Sequence, residues 1–207
     1  AGNYGAAAEY FSKAAESKEL HEKIHFRFGA SLYYSGNEKA AEEELKNCLH
    51  HTPPDINAAF LLAEIAEKTN RENEAEKYIE MILKTEPENP AALYKAAVIN
   101  YKKGKKDDAE KKLTALSAKD PANHNALQLL GDIYAEKNNF EKASEYYTLG
   151  LNSSPKCSDC RYGLALCCKN LKKENDAIIH LEAITKNNPG YKDTAMQLSA
   201  LYAQTGR

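Results

Sequence analysis

The sequence lacks a dominant charge. Its 28 lysines and arginines nearly balance 30 aspartates and glutamates, for a formal charge of -2. That balance supplies no bulk electrostatic pull toward nucleic acid or an anionic membrane. Only four of the cations are arginines, Arg27, Arg71, Arg161 and Arg207. Base readout, for which arginine is the usual side chain, is disfavoured further. No window of about 20 residues is apolar and uncharged, so no membrane-spanning helix is expected. No signal peptide opens the chain, which starts at Ala1 without a Met and is expected to be cut from a longer protein. Gly-rich phosphate loops and nucleophile motifs are missing, and the histidines show neither metal-ligand nor triad spacing. These absences argue against an enzyme, a cofactor and a bound metal. Five cysteines cannot all pair within one chain. A secreted disulfide framework is therefore disfavoured, and a reducing, cytoplasmic compartment is favoured.

What is present is a period. Pro53, Pro87, Pro121, Pro155 and Pro189 follow one another at steps of 34 residues. Ala7, Ala41, Ala75, Ala109, Ala143 and Ala177 keep that step, as do the small residues Gly29, Ala63, Ala97, Gly131, Ala165 and Ser199. Three registers agree without an insertion. A fixed period of this length signals stacked supersecondary units. Within a unit, apolar residues recur at helical spacing, as in Leu127, Leu130 and Tyr134. Gly36, Asn70, Gly104 and Asn138 follow, and these residue types tolerate a positive φ in a tight turn. A second helix carries Ala143 and Tyr147 and should end near the proline, which lacks an amide and clashes with the preceding turn. Asp55, Asn89 and Asn123 stand where the next helix needs an N-cap, and Pro90 suits a first helical position. The small residues let the two helices approach closely, since a large side chain would push them apart. His50 and His51 are expected to close a helix, near the negative end of its dipole.

Residues 124–157 resemble a tetratricopeptide repeat. Leu127, Leu130, Gly131, Tyr134, Ala143, Tyr147 and Pro155 occupy the places where that family has Trp or Leu, Leu, Gly, Tyr, Ala, Phe or Tyr, and Pro. In this frame the full units are 22–55, 56–89, 90–123, 124–157 and 158–191. Half-units fill 1–21 (Gly2, Ala7, Phe11) and 192–207 (Leu198, Ser199, Tyr202). Departures are the absence of Trp, Asn100 in place of an aromatic and Arg161 in place of a large apolar residue. The resemblance implies an all-α fold, a right-handed superhelical solenoid of antiparallel helix pairs forming one array over 1–207. It also implies that the first helix of each unit lines a concave groove.

The groove positions of this frame are the second, fifth, ninth, twelfth and thirteenth of each unit. Phe26, Phe60, Tyr94 and Tyr162 fall at the fifth, Val98 at the ninth, and Tyr33 and Tyr101 at the twelfth. Aromatic anchors offer large contact area with few rotors to freeze, so these seven are the candidate partner-binding residues. Several of the same positions also pack between neighbouring helices in the family. The expected occupant is an apolar or aromatic segment of a protein or peptide, extended or helical. Charge along the groove is mixed, with Lys23, Glu64, Glu67, Lys102, Asp132, Glu136, Asp159, Lys169 and Asp193.

Two specialised family modes are excluded residue by residue. A clamp for a chaperone's C-terminal carboxylate would need Lys and Asn at the fifth and ninth positions, where Phe26 and Ala30, or Phe60 and Glu64, stand. The asparagine ladder of glycosyltransferase-type stacks would need Asn at the sixth, where Arg27, Leu61, Lys95, Leu129, Gly163 and Gln197 stand. Cysteines at Cys48 and Cys168 fall at core positions, and the preferred reading of the set is structural. Cys157 and Cys160 open a helix, where a thiolate is stabilised, so a redox pair is the second reading. A metal site is the third. Cys160 and Cys168 are separated by roughly 12 Å along one helix, too far to share a zinc with ligands at about 2.3 Å. The expected function is a protein-interaction scaffold within a multi-subunit assembly. The alternatives are a homo-oligomer joined through the half-unit ends and a substrate-recruiting segment of a larger enzyme.

Overall fold

A computed structural model of the chain describes residues 3–15, 21–50 and 53–206. Gly2, His51 and Arg207 lie outside the described residues, as does the side chain of Lys23. Among the described residues there are twelve α-helices and no strand. They are α1 (Tyr4–Ala15), α2 (His21–Tyr34), α3 (Glu38–Cys48), α4 (Ile56–Lys68), α5 (Glu72–Thr85) and α6 (Pro90–Lys102). The second six are α7 (Lys106–Lys119), α8 (His124–Glu136), α9 (Phe140–Ser153), α10 (Ser158–Asn170), α11 (Glu174–Asn187) and α12 (Thr194–Thr205). The chain divides into two compact bodies, Ala1–Ile99 and Asn100–Arg207. In the first, α1 packs on α2, α2 on α3, α3 on α4 and α4 on α5, and α2 also meets α4. In the second, each helix from α7 to α12 packs on the next, and α8 also meets α10.

The same turn closes five helix pairs. The amides of Asn37, Arg71, Lys105, Asn139 and Lys173 donate to the carbonyls of Leu32, Ala66, Asn100, Tyr134 and Cys168. This is the six-to-one bond of a Schellman cap, which requires a left-handed residue just before the donor. Gly36, Asn70, Gly104 and Asn138 hold positive φ there, as expected, and so does Lys172, at 57°. The N-caps are equally regular. The Asp55 carboxylate accepts from the amides of Asn57 and Ala58 at 2.8 and 3.1 Å. Asn89 and Asn123 each accept the amide three residues on at 3.1 Å. At the next step of the register Cys157 replaces the oxygen with sulfur, accepting from the Cys160 amide at 3.2 Å. Pro90 is the first residue of α6.

Four second helices, α5, α7, α9 and α11, are 14 residues long and end two residues before their proline. The exception is α3, which stops at Cys48, five residues short of Pro53. His50 therefore lies beyond this helix instead of closing it.

Packing depends on small residues. Ala41, Ala109, Ala143 and Ala177 are 0% exposed. Around them Leu45, Leu62, Ile65, Ile79 and Ile82 fill the first body, and Leu113, Leu130, Ile133, Ile178 and Leu181 the second. The tightest approach is around Tyr147 of α9. A Cβ at Gly131 of α8 would lie 2.6 Å from its ring, and one at Gly163 of α10 would lie 2.3 Å away. Two glycines thus let three helices share one aromatic ring. The phenol donates to Asp132 at 2.6 Å, satisfying a hydroxyl that burial would otherwise orphan. Burial raises the Asp132 pKa against the hydrogen bonds from Tyr147 and Gln128, which lower it.

Three outcomes follow from this packing. Gly131→Ala should lower stability by about 1 to 2 kcal/mol in denaturant titration, because ring overlap outweighs alanine's better helix propensity. Lys172→Gly should raise stability by about 0.5 to 1 kcal/mol by relieving a left-handed lysine, net of glycine's chain entropy. Asp132 is ionised at a cost in the folded state, because its folded pKa lies above the unfolded value of about 3.9. Its contribution is fully present below the unfolded pKa and is lost as pH rises through the folded one. Asp132→Asn should therefore gain on wild type as melts are run upward from about pH 4 toward pH 7.

Candidate functional site

The candidate residues sit on the first helices of successive repeats, and the two bodies use these positions differently. In the first body Phe26 of α2, Phe60 of α4, and Tyr94 and Val98 of α6 are all half-buried. Phe26 packs against the core that α1 to α4 build, and Phe60 against the core of α4 to α6. Each ring is thus seated on its inner side and partly open on its outer side. An aromatic fixed in this way has little side-chain entropy left to lose on binding.

Tyr33 is different. It is 6% exposed and belongs to the core cluster. Lys68 of the next repeat donates to its hydroxyl and holds its ammonium 4.3 Å from the ring centre. Its main role in the structure is packing between repeats. Beside it, Lys95 and Glu67 bridge neighbouring repeats at 2.7 Å.

In the second body the tyrosine hydroxyls are committed to carboxylates. Tyr101 donates to Glu136, which also pairs with Lys106 at 2.6 Å. Hydrogen bonds from Lys106 and then Tyr101 hold Glu136 below its ordinary pKa. Tyr162 donates to Asp193. Burial, with that bond adding to it, pushes the Tyr162 pKa up to about 12. Lys192 stands 4.9 Å from the Tyr162 ring and pairs at 2.7 Å with Asp159, which also accepts from Tyr191. Lys169 donates to Gln197 at 2.7 Å. The result is a polar lattice tying one repeat's first helix to the next.

The mixed charges along the lining positions were visible in the sequence, but their pairing was not. Tyr191 and Lys192 escaped it altogether. Tyr191 stands one step of the register beyond Cys157, where Asp55, Asn89 and Asn123 are caps, and that departure was the available signal.

The cysteine reading needs a correction. Cys157 and Cys160 form a disulfide, with Cα atoms 5.4 Å apart. The structural reading describes only the other three, since Cys48, Cys167 and Cys168 are free and buried. Among the described residues no group of three His, Cys, Asp or Glu side chains is placed to hold a metal ion. Among them, too, no helix is long and apolar enough to cross a membrane.

Comparison with known proteins agrees with this architecture. Two tetratricopeptide repeat models match residues 32–99 and 91–123. A model of subunit 3 of the anaphase-promoting complex, or cyclosome, matches residues 111–184. No curated protein matches the chain. Among solved structures, a tetratricopeptide repeat protein from Parabacteroides merdae aligns at 19% identity with a TM-score of 0.76, over 89% of this chain and 73% of its own. YrrB, described as a tetratricopeptide repeat protein with an unusual peptide-binding site, aligns at 18% identity and a TM-score of 0.76, over 96% of this chain and all of its own. MamA from Desulfovibrio magneticus RS-1 aligns at 19% identity and a TM-score of 0.72, over 83% of this chain and 97% of its own. Sequence registers, Schellman turns, all-helical architecture and these matches lead to one assignment: the chain belongs to the tetratricopeptide repeat family.

Proposed function

We propose that the chain is a protein-interaction scaffold whose first body holds an apolar or aromatic segment of a partner. The observation that carries this reading is the set Phe26, Phe60 and Tyr94. They recur at one register on α2, α4 and α6 and stay half-exposed, with Val98 one helical turn beyond Tyr94. Backed by a rigid core, such rings are good anchors at low entropic cost. Tyr101 and Tyr162, in the second body, are the weaker candidates, because their hydroxyls already serve Glu136 and Asp193. The description of YrrB as peptide-binding supports a peptide as occupant. The likeness of residues 111–184 to a subunit of a multi-subunit complex supports work inside an assembly.

A second reading is association between copies through α1. It is favoured by the exposure of Tyr4 and Tyr10 on α1, at 44% and 75%, and by a cleft that α1 and α2 form from Ala8, Glu9, Ser12, Lys13, Phe28 and Leu32. Sedimentation separates the two, since a monomer at high concentration removes the second.

Peptides selected on the intact chain from a random display library should be rich in apolar and aromatic residues. Phe60→Ala combined with Tyr94→Ala should raise their Kd at least about tenfold, or roughly 1.4 kcal/mol, with the fold retained and only a modest fall in melting temperature from the lost packing of two half-buried rings. A large fall in melting temperature with binding intact would sink the reading.

A further inference from the structure

We propose that Cys157 and Cys160 form a reversible dithiol–disulfide site opened by a small, carboxylate-bearing thiol. The site lies in the second body, apart from the Phe26–Tyr94 surface, and does not rest on peptide binding.

Position makes the first argument. The N-cap register runs Asp55, Asn89, Asn123 and then Cys157. Sulfur is a weaker hydrogen-bond acceptor than a carboxylate or amide oxygen, so capping alone does not account for a cysteine here. Sulfur chemistry does, because Cys157 is bonded to Cys160 three residues on.

Asymmetry makes the second. Cys157 is half-buried, whereas Cys160 is 0% exposed. The Cys160 sulfur lies against α9, where a Cβ on Gly150 would come within 2.9 Å of it. Of the two, Cys157 is the residue with surface open to solvent, and attack is assigned to its sulfur. Cys157 also stands at the positive end of the 13-residue α10, which stabilises a thiolate there.

Surroundings make the third. Lys156 and Ser158, the chain neighbours of Cys157, line a cleft of 430 Å³ with Arg161 of α10 and Ile184 and Asn187 of α11, and Cys157 itself is not part of that lining. That volume suits a small molecule. Its two cations suit carboxylates, and Arg161 is aimed by a 2.9 Å bond to the Pro155 carbonyl. The thiol class that fits is a short peptide thiol carrying free carboxylates.

The exchange balances without a further reagent. A thiolate attacks the Cys157 sulfur, the bond to Cys160 breaks, and the electron pair leaves on the Cys160 sulfur, which takes a proton from water. A second thiolate then attacks the incoming thiol's own sulfur in the mixed disulfide. Cys157 departs as a thiolate, and two small thiols have become one small disulfide. The chain has gained two electrons and, once the Cys157 thiolate also takes a proton from water, two protons. Reduction removes the covalent tie across the first turn of α10.

The test uses the intact chain with reduced and oxidised glutathione as the probe. Free thiols are trapped by alkylation under native conditions and mapped by mass spectrometry. The expected result is a native disulfide that opens in millimolar reduced glutathione, with the mixed disulfide and first alkylation at Cys157. Cys160→Ser should trap the mixed disulfide at Cys157. If that variant fails to fold, peptide mapping of the wild type still decides. Lys156→Glu should slow opening by glutathione at least threefold more than opening by uncharged 2-mercaptoethanol. A disulfide that opens only after unfolding in urea would make the bond a structural staple and overturn the proposal. So would failure to form it in oxidising buffer, or a mixed disulfide at Cys160. Equal slowing of both thiols by Lys156→Glu would overturn the cationic cleft as the recognition element.

Discussion

One constraint organises the molecule: a hairpin of 13- and 14-residue helices cannot bury its own apolar stripe. Each hairpin must lean on the next, and the helices must come close enough to do so. The small-residue registers meet that need, most visibly where Gly131 and Gly163 admit the Tyr147 ring between α8, α9 and α10. The Schellman turns and N-caps set the helix lengths, so that every hairpin presents the same positions to its neighbour. Once that spacing is set, the lining positions of successive first helices within each body recur at one register.

Those positions then serve two purposes. In the first body they carry Phe26 and Phe60, packed against the core and partly open, and the half-buried Tyr94. In the second they carry tyrosines and carboxylates that bond across repeats, as in Tyr101 with Glu136 and Tyr162 with Asp193. A lattice of charge-assisted bonds holds helices in register but leaves fewer unsatisfied groups for a partner. The apolar surface does the opposite, because hydrophobic contact needs no prior hydrogen bond to be broken. This contrast is why the first body is the better candidate for holding a peptide segment.

Helix positions were legible in the sequence because they follow from local chemistry. Prolines, left-handed glycines and asparagines, and capping Asp or Asn recur at one step, and the structure puts each in its expected role except Pro53, which lies five residues beyond the end of α3. Lys172 was not legible, because lysine carries no sign of a left-handed backbone and only its place in the register forces one. The burial of Tyr33 was not legible either, since a twelfth-position tyrosine faces both the groove and the neighbouring repeat. Odd cysteine number argued against disulfides in general and said nothing of one local pair. Early termination of α3 left no trace in the sequence, because Pro53 keeps its register.

The central claim is that first helices, not second helices, hold the partner. A selected peptide carrying a photoreactive phenylalanine, cross-linked to the intact chain and mapped by mass spectrometry, tests it most directly. The account predicts cross-links on α2, α4 and α6 around Phe26, Phe60 and Tyr94. Cross-links concentrated on α3 and α5 would contradict it.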